Sequence, residues 1–452
     1  QLGEIAENLE ADPEVRPVVS QTAKEFLVPP VIYIKNELEA DYRAIESKLP
    51  AHEFHAAEGN KQSFELEFAN IESRDAARDE LTAAGIRFRT GKALVPFRIS
   101  GNVEWGVKVP EMEGVDDLTV WCWPESLWAP VSFSATALEA RGEELSAVRD
   151  WWCSPDARVY QFIGQDNLYF YGVAQPALWM ALESGNAEVA YPQPGDLQQT
   201  TLIANHHILF GKVKASSSGA VKPPSADQLL EHYTVDQLRA HWLGLGLDVK
   251  SVGFKPKPFE ADEAKRNDPR VADPVLKEGA LLTNVFNRLA RSCFYEAQKN
   301  FEGLMPLGAP AADVVARCHK AMAEYEAIMH KAELHSVMTL MDDFIRWAQK
   351  HWADGIKAAE GADDADMRRQ ILVDSFFTLR VATLLMHPVA PDGCEKIVEH
   401  LGLPAERVFS WNAPFEGMAE LCDAADVEAC RHAIVELPPR TDFFAKHESQ
   451  FK

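Results

Sequence analysis

The order of apolar and polar positions divides this chain into a strand-rich first half and a helical second half. Val31-Ile32-Tyr33-Ile34 reads as a short strand after Pro29-Pro30, and residues 36–48 have a helical pattern. Between Phe64 and Arg98, Glu65, Glu67, Arg87 and Arg89 alternate with apolar neighbours, giving two strands around a helix at 72–84 that stops at Gly85. Leu118 to Cys122, Phe162 to Gly164 and Leu202 to Phe210 are further strand candidates, and Pro176 to Leu182 is apolar and helical. Residues 212–224 are small, polar and basic and read as a loop, after which Ser225 caps a helix. Residues 254–274, rich in Pro, Lys and Asp, form a connection. From Pro274 onward, apolar residues such as Leu281, Leu282, Val285, Phe286 and Leu289 recur every three or four positions. Helices at 310–332, 333–353, 364–386 and 391–401 follow, which predicts a bundle. No internal repeat is visible.

A chain of 452 residues is long enough for two or three domains. It has no run of about 18 apolar residues and no basic-then-apolar start, so neither a membrane span nor a signal peptide is expected. A first residue other than Met suggests a trimmed or incomplete chain. The net charge of -24 argues against a broad nucleic-acid surface and confines any RNA contact to a small, salt-sensitive basic patch. The seven cysteines have no C-x-x-C pair, which fits reduced, mostly buried thiols in a cytoplasmic protein and makes zinc knuckles unexpected. His206 and His207 are adjacent, so on a strand they point to opposite faces and make a poor metal pair.

One stretch concentrates candidate chemistry. Tyr160 to Phe170 is an apolar strand that stops at Gly164-Gln165 and then presents a single acid, Asp166. In α/β folds the carboxyl ends of parallel strands are where ligands bind.

That stretch resembles the "F-[IM]-G-K-D-N-x-x-F-H" segment of methionyl-tRNA synthetases, which are class I aminoacyl-tRNA synthetases. Other segments agree, in the family's order. Arg98-Ile99-Ser100-Gly101-x-x-x-Trp105-Gly106-Val107-Lys108-Val109-Pro110 resembles "I-S-R-x-x-x-W-G-[IV]-P-V-P". Val120-Trp121-Cys122-Trp123-Pro124 resembles "V-W-[FL]-D-A-P", and Leu238-Arg239 resembles the start of "L-R-Y-Y". Leu379-Arg380-Val381 through Met386-His387-Pro388-x-x-Pro391 resembles the family's "L-x-x-L-x-P-x-x-P". The match runs from about Arg98 to about Leu403.

The resemblance implies a fold that is α/β plus all-α: a class I Rossmann-like catalytic domain with a reduced insertion, then a helical-bundle anticodon-binding domain. The corresponding segments are 1–100, a remnant of the catalytic or insertion region; 101–222, the second half of the catalytic domain; 223–273, a connecting region; and 274–452, the helical bundle. It implies an amino-acid pocket in which Asp166 holds the substrate ammonium and Trp121, Trp128 and Tyr171 form the wall. A cation beside a carboxylate and aromatic faces gains charge-assisted bonding and cation–π attraction. It places Gly164, Gln165, Ser216 and Ser217 at the nucleotide, Lys212 and Lys214 at its phosphates, and Asn287, Arg291 and Trp352 at the anticodon.

The departures from the family pattern are as informative. The K-M-S-K-S signature falls on Val213-Lys214-Ala215-Ser216-Ser217, so neither family lysine is kept in place. The arginine of "I-S-R" is Gly101, the aspartate of "D-A-P" is Trp123, and no H-I-G-H sequence is present. Either this chain lacks an amino-terminal half-fold, supplied by another chain or a missing segment, or that part has diverged. Two functions stay open: a synthetase-like ligase using ATP (with Mg as its counter-ion), an amino acid and an acceptor such as tRNA; or an inactive paralogue that binds RNA. No structural zinc and no membrane contact are expected.

Overall fold

A computed structural model describes residues 29–59, 61–91, 99–110, 117–183, 192–210, 213–214, 222–411, 417–422 and 431–451. The chain forms two compact units, Gln1–Asn205 and His206–Lys452. The division falls before the 212–224 loop rather than after it.

The first unit begins with strand β1 (Val31–Lys35), helix α1 (Glu39–Ile45), β2 (His52–His55), β3 (Ser63–Phe68), α2 (Ile71–Ala83) and β4 (Phe88–Thr90). The strands pair in the order β2-β3-β1-β4, antiparallel throughout. Alternation decides the two faces. Ile32, Ile34, Phe64, Leu66 and Phe68 point to the helices and form a core with Tyr42, Ala77 and Leu81. Tyr33, Glu65, Glu67 and Arg89 line the open face. Asn70 starts α2 by accepting from the Ser73 amide at 2.8 Å. This split β-α-β arrangement is an antiparallel layer with its own core, unlike a half of a parallel nucleotide fold.

The rest of this unit contains β5 (Ser100–Gly101), β6 (Thr119–Val120), α3 (Cys122–Ser126), α4 (Ala129–Ala140), α5 (Val148–Trp152), β7 (Tyr160–Gly164), α6 (Gln175–Glu183) and β8 (Thr201–Asn205). β5 and β6 form a short antiparallel hairpin, and β7 and β8 run parallel in register, Tyr160 with Thr201 through Gly164 with Asn205. The expected strand over 118–122 is only two residues long, because the chain turns into α3 at Cys122. A second correction concerns 202–210. It is two strands, β8 and β9 (Ile208–Phe210), separated at His206-His207 and belonging to different sheets. Each carries its own apolar face.

In the second unit β9 pairs with β10 (Val213–Lys214) and β11 (Val252–Gly253). Two residues of the expected loop are thus strand backbone. Between them lie α7 (Ala226–Leu230) and α8 (Val235–Gly244), opened by capping boxes at Ser225/Gln228 and Thr234/Gln237. Then come α9 (Glu263–Asn267), α10 (Pro274–Ala280), α11 (Asn287–Asn300), β12 (Leu304–Pro306), α12 (Ala312–His330), α13 (Leu334–Ala362), α14 (Ala365–Met386), α15 (Pro391–Leu401), α16 (Ala405–Val408), α17 (Met418–Leu421) and β13 (Arg431–Ala433), which pairs with β12. α13 runs nine residues beyond the expected end at 353. Its apolar stripe joins that of α14, where every residue from Ile371 to Met386 is buried, in one large core. The fold is therefore α/β followed by all-α. No helix among the described residues is long and apolar enough to cross a membrane.

Candidate functional site

β7 is short and ends at Gly164 in extended backbone, with φ -77°. The chain then makes one tight turn, Gln165–Asn167, which leaves Asp166 exposed beyond the carboxyl end of the strand. Leu168 anchors the turn by packing with Ala204 of β8. Next comes a single π-helical segment, Phe170–Ala174, which carries Tyr171 and merges into α6. Such wide turns concentrate at functional sites because they aim side chains that a regular helix would not. A Cβ on Gly172 would lie 3.3 Å from Leu202 Cδ1, so the turn packs closely on β8 here.

Side-chain amides tie the start of β7 to the turn before Trp128. Gln161 Nε2 donates to Gln175 Oε1 at 2.7 Å and to Thr200 Oγ1 at 2.6 Å. Gln175 is 1% exposed and donates to the Leu127 carbonyl at 2.9 Å. A buried amide without partners costs about 1–3 kcal/mol, so the satisfied chain Gln161–Gln175–Leu127 fixes β7, α6 and the turn before Trp128 together. Trp128 packs near Trp179, with ring centroids 6.2 Å apart, and Trp152 meets Trp179 edge-on at 5.9 Å. Trp121 is half-buried just before α3, its amide donating to the Ile99 carbonyl at 2.8 Å. Trp123, at the position of the family's aspartate, stacks on Phe170 with centroids 3.9 Å apart. Gln161, Gln175 and the Trp123–Phe170 pair were missed from sequence. The glutamine of an otherwise apolar helix start was the available signal.

The phosphate side is less complete. Lys212, Ser216 and Ser217 lie outside the described residues. Lys214 is placed only by its backbone, in register with Leu209. Gly101 pairs with Thr119 in the hairpin, so it offers no side chain to a phosphate. Among the described residues no group of His, Cys, Asp and Glu could hold a metal ion.

The residues expected at the anticodon are arranged differently from the exposed platform that the pattern suggested. Asn287 is 2% exposed. Its Oδ1 accepts from the amides of Phe443 and Phe444, both at 3.0 Å, and its Nδ2 donates to the carbonyls of Thr283 and Phe444. Every bonding group of that amide is thereby occupied within the chain. Arg291, one turn on, pairs with Asp442 at 2.8 Å. Trp352 is only 6% exposed and belongs to the core with Phe344, Ile345 and Ala348. A ring held there has no face to offer a base. A polar groove of about 470 Å³ does open beside Arg291, lined by Asn284, Arg288, Ser292, Tyr295, Lys446 and Phe451 among others.

A family model described as "tRNA synthetases class I (M)" matches residues 80–262. Among curated proteins, the methionine–tRNA ligase of Methanoculleus marisnigri is 23% identical over 304 residues, 67% of this chain and 41% of the relative. That of Chloroflexus aggregans is 31% identical over 203 residues, 43% of this chain and 33% of the relative. The chain thus spans less than half the length of these relatives. Among solved structures, Mycobacterium tuberculosis methionyl-tRNA synthetase in complex with methionyl-adenylate matches with a TM-score of 0.54 and 21% identity. That likeness covers 91% of this chain and 67% of the neighbour, and it concerns the fold.

Proposed function

We infer that this chain, which belongs to the methionyl-tRNA synthetase family as a divergent class I member, binds an α-amino acid and joins it to the adenylyl group of ATP. The observation that carries this reading is the exposed carboxylate of Asp166 just past Gly164, at the carboxyl end of β7. Asp166 receives the ammonium group, and Trp121, Trp128 and Tyr171 enclose the side chain. The amino-acid carboxylate attacks the α-phosphorus of ATP, and pyrophosphate leaves as the mixed anhydride forms. Negative charge grows on the phosphates in that step and needs positive charge near them. Lys212 and Lys214 are the cations the chain brings to its signature loop, with Ser216 and Ser217 beside them and Gly164 and Gln165 under the nucleotide. Mg enters as the counter-ion of ATP. The acceptor is tRNA or another nucleophile.

Trp128 and Tyr171 in place of the family's tyrosine and histidine favour an amino acid other than methionine. Amino-acid-dependent exchange of labelled pyrophosphate into ATP, run across the standard amino acids and methionine analogues, tests this directly. Exchange with one amino acid supports activation and names the substrate. No exchange across the panel, together with no ATP binding by calorimetry, rejects it.

The losses at Gly101, Trp123 and the signature loop favour a second reading, an inactive paralogue that keeps RNA binding. A protein that binds tRNA but neither ATP nor any amino acid fits that reading alone. If the ligase reading holds, a further segment or chain completes the nucleotide fold, because a two-stranded parallel sheet such as β7–β8 is too small to stand alone.

A further inference from the structure

The four-stranded layer at the start of the first unit holds a cavity that the synthetase likeness leaves unexplained. Strands β1, β2 and β3 all precede residues 80–262, which the family model matches. One face of the layer packs on α1 and α2, and the other is open. Strand register sets a row of four side chains straight across the open face. His55 of β2 is opposite Glu65 of β3, Glu65 is opposite Tyr33 of β1, and Tyr33 is opposite Arg89 of β4. Glu67 stands two residues along β3, on the same face, and meets His55 at 3.2 Å. The loop from β2 to β3 brings Glu58 and Lys61 to the row, and together these groups line a cavity of about 610 Å³. The Arg89 guanidinium is held over the Tyr33 ring, 5.0 Å from its centroid. Burial, then the Glu65 carboxylate, raises the pKa of the Tyr33 hydroxyl against the opposing pull of Arg89.

The charges select the class of ligand. Glu58, Glu65 and Glu67 face Lys61 and Arg89 around the cavity, which leaves one negative charge in excess while His55 is neutral. Glu65 and Arg89 stand on strands separated by β1, about 10 Å apart across the sheet. That spacing is wider than the gap between ammonium and carboxylate on one α-carbon. It suits a molecule with a carboxylate at one end, a cation at the other and an apolar stem between them. We propose that this face binds a free basic α-amino acid, lysine or arginine, with its carboxylate at Arg89, its side-chain cation at Glu65 and Glu67, and its stem crossing Tyr33. Each of these amino acids carries one net positive charge, which matches the excess. The guanidinium fork of Arg89 fits a carboxylate, and the two glutamates on β3 fit an ammonium or guanidinium. A diamine would satisfy the glutamates but set its second cation against Arg89. An acidic amino acid would add carboxylates to a cavity that already has an excess. The site uses none of the residues proposed around Asp166 and stands whether or not the chain is a ligase.

The test titrates the full chain, without ATP, with lysine, arginine, leucine, glutamate and the diamine cadaverine, each to about 10 mM, and reads the heat. Lysine or arginine should bind, and cadaverine and glutamate should bind at least about tenfold more weakly. Glu65→Gln and Arg89→Gln should each weaken binding about tenfold or more, because each removes a charge-assisted contact while keeping a polar side chain of similar reach. Arg89→Lys should recover part of the loss. Asp166→Asn, run beside them, should leave this binding in place, which separates it from the proposed substrate pocket. Hydrogen exchange on the unaltered chain gives a readout that needs no variant: lysine or arginine should slow exchange within residues 52–68 and 88–90. No heat from lysine or arginine overturns the proposal. So does binding that survives both Glu65→Gln and Arg89→Gln, binding that disappears in Asp166→Asn, or protection confined to other segments. Cadaverine binding as tightly as lysine removes the carboxylate contact at Arg89 and overturns the amino-acid assignment.

Discussion

Trp123 lies flat against Phe170, with ring centroids 3.9 Å apart and planes 8° from parallel. The pair joins the start of α3 to the first residue of the π-helical turn that carries Tyr171. An aspartate at position 123, as in the family, could not make this contact. Aromatic pairs contribute about 0.5–1.5 kcal/mol beyond their burial. Trp123→Ala should therefore lower the unfolding free energy of the first unit by about 1–2 kcal/mol. It should also change which amino acid is bound best, because Tyr171 loses the support of its neighbour. Urea unfolding read by tryptophan fluorescence, with binding measured across an amino-acid panel, checks both. An unchanged preference profile would detach Trp123 from the pocket.

Asp166 makes the opposite case. It is exposed in a one-turn helix and takes no part in an apolar cluster. Asp166→Asn keeps the size and shape of the side chain, so the fold should be retained. Losing a charge-assisted bond of about 1.5–3 kcal/mol should weaken amino-acid binding roughly 10- to 150-fold. Calorimetric titration on both proteins decides it, and equal affinities would remove Asp166 from the site.

Asn287 holds the carboxyl-terminal segment against the bundle, together with Phe443 and Phe444, each 1% exposed. Asn287→Ala removes the side-chain partner of two backbone amides and two carbonyls at a buried position. The cost should be about 3 kcal/mol or more, with faster proteolysis within residues 431–451. Gly393→Ala tests the same seam from the other side. A Cβ there would lie 2.1 Å from Phe444, so the ring must move, and a comparable loss is expected. Limited proteolysis with mass spectrometry reads both variants. Cleavage elsewhere, with this segment intact, would show that the seam is not what holds it.

What the sequence disclosed follows from the range of each signal. Helix spans in the second half were legible because three- and four-residue periodicity is local. α15 falls at 391–401 as expected, and α12 and α14 lie within two residues of it. The same periodicity also contained the fate of Trp352. It shares a face with Val337, Met341, Phe344, Ile345 and Ala348, which is the core stripe of α13. The motif resemblance outweighed that stripe in the reading of the sequence. The bonds from Asn287 to Phe443 and Phe444 join positions about 156 residues apart, and no local pattern reports such a pair. Strands of two residues, such as β5 and β6, are too short to show alternation. The turn at Gly164 and Asp166 was legible because an apolar run, a stop and one acid fall within eight residues.

Asp236 gives a prediction that depends on pH. It is 8% exposed in the first turn of α8, and its Oδ1 has no hydrogen-bond partner. Burial, reinforced by the nearby Asp392 carboxylate, pushes its pKa up to about 6, although the Gly393 amide, Lys396 and Arg239 favour the charged form. In the unfolded chain the carboxyl ionises near its ordinary value of 3.8. Between those values the unfolded state has released a proton that the folded state still holds. Stability from this group is therefore complete below about pH 4 and declines as pH rises through 6, by about 2–3 kcal/mol in all. Asp236→Asn carries no such charge, and its amide oxygen can take the place of the carboxylate oxygen that meets the Gly393 amide. The variant should match the parent near pH 4.5 and exceed it by about 1–3 kcal/mol at pH 8. Urea unfolding of both proteins at half-unit steps from pH 4.5 to 8 measures the difference. A gap between the two curves that does not change with pH would show that Asp236 is ionised in the folded state throughout.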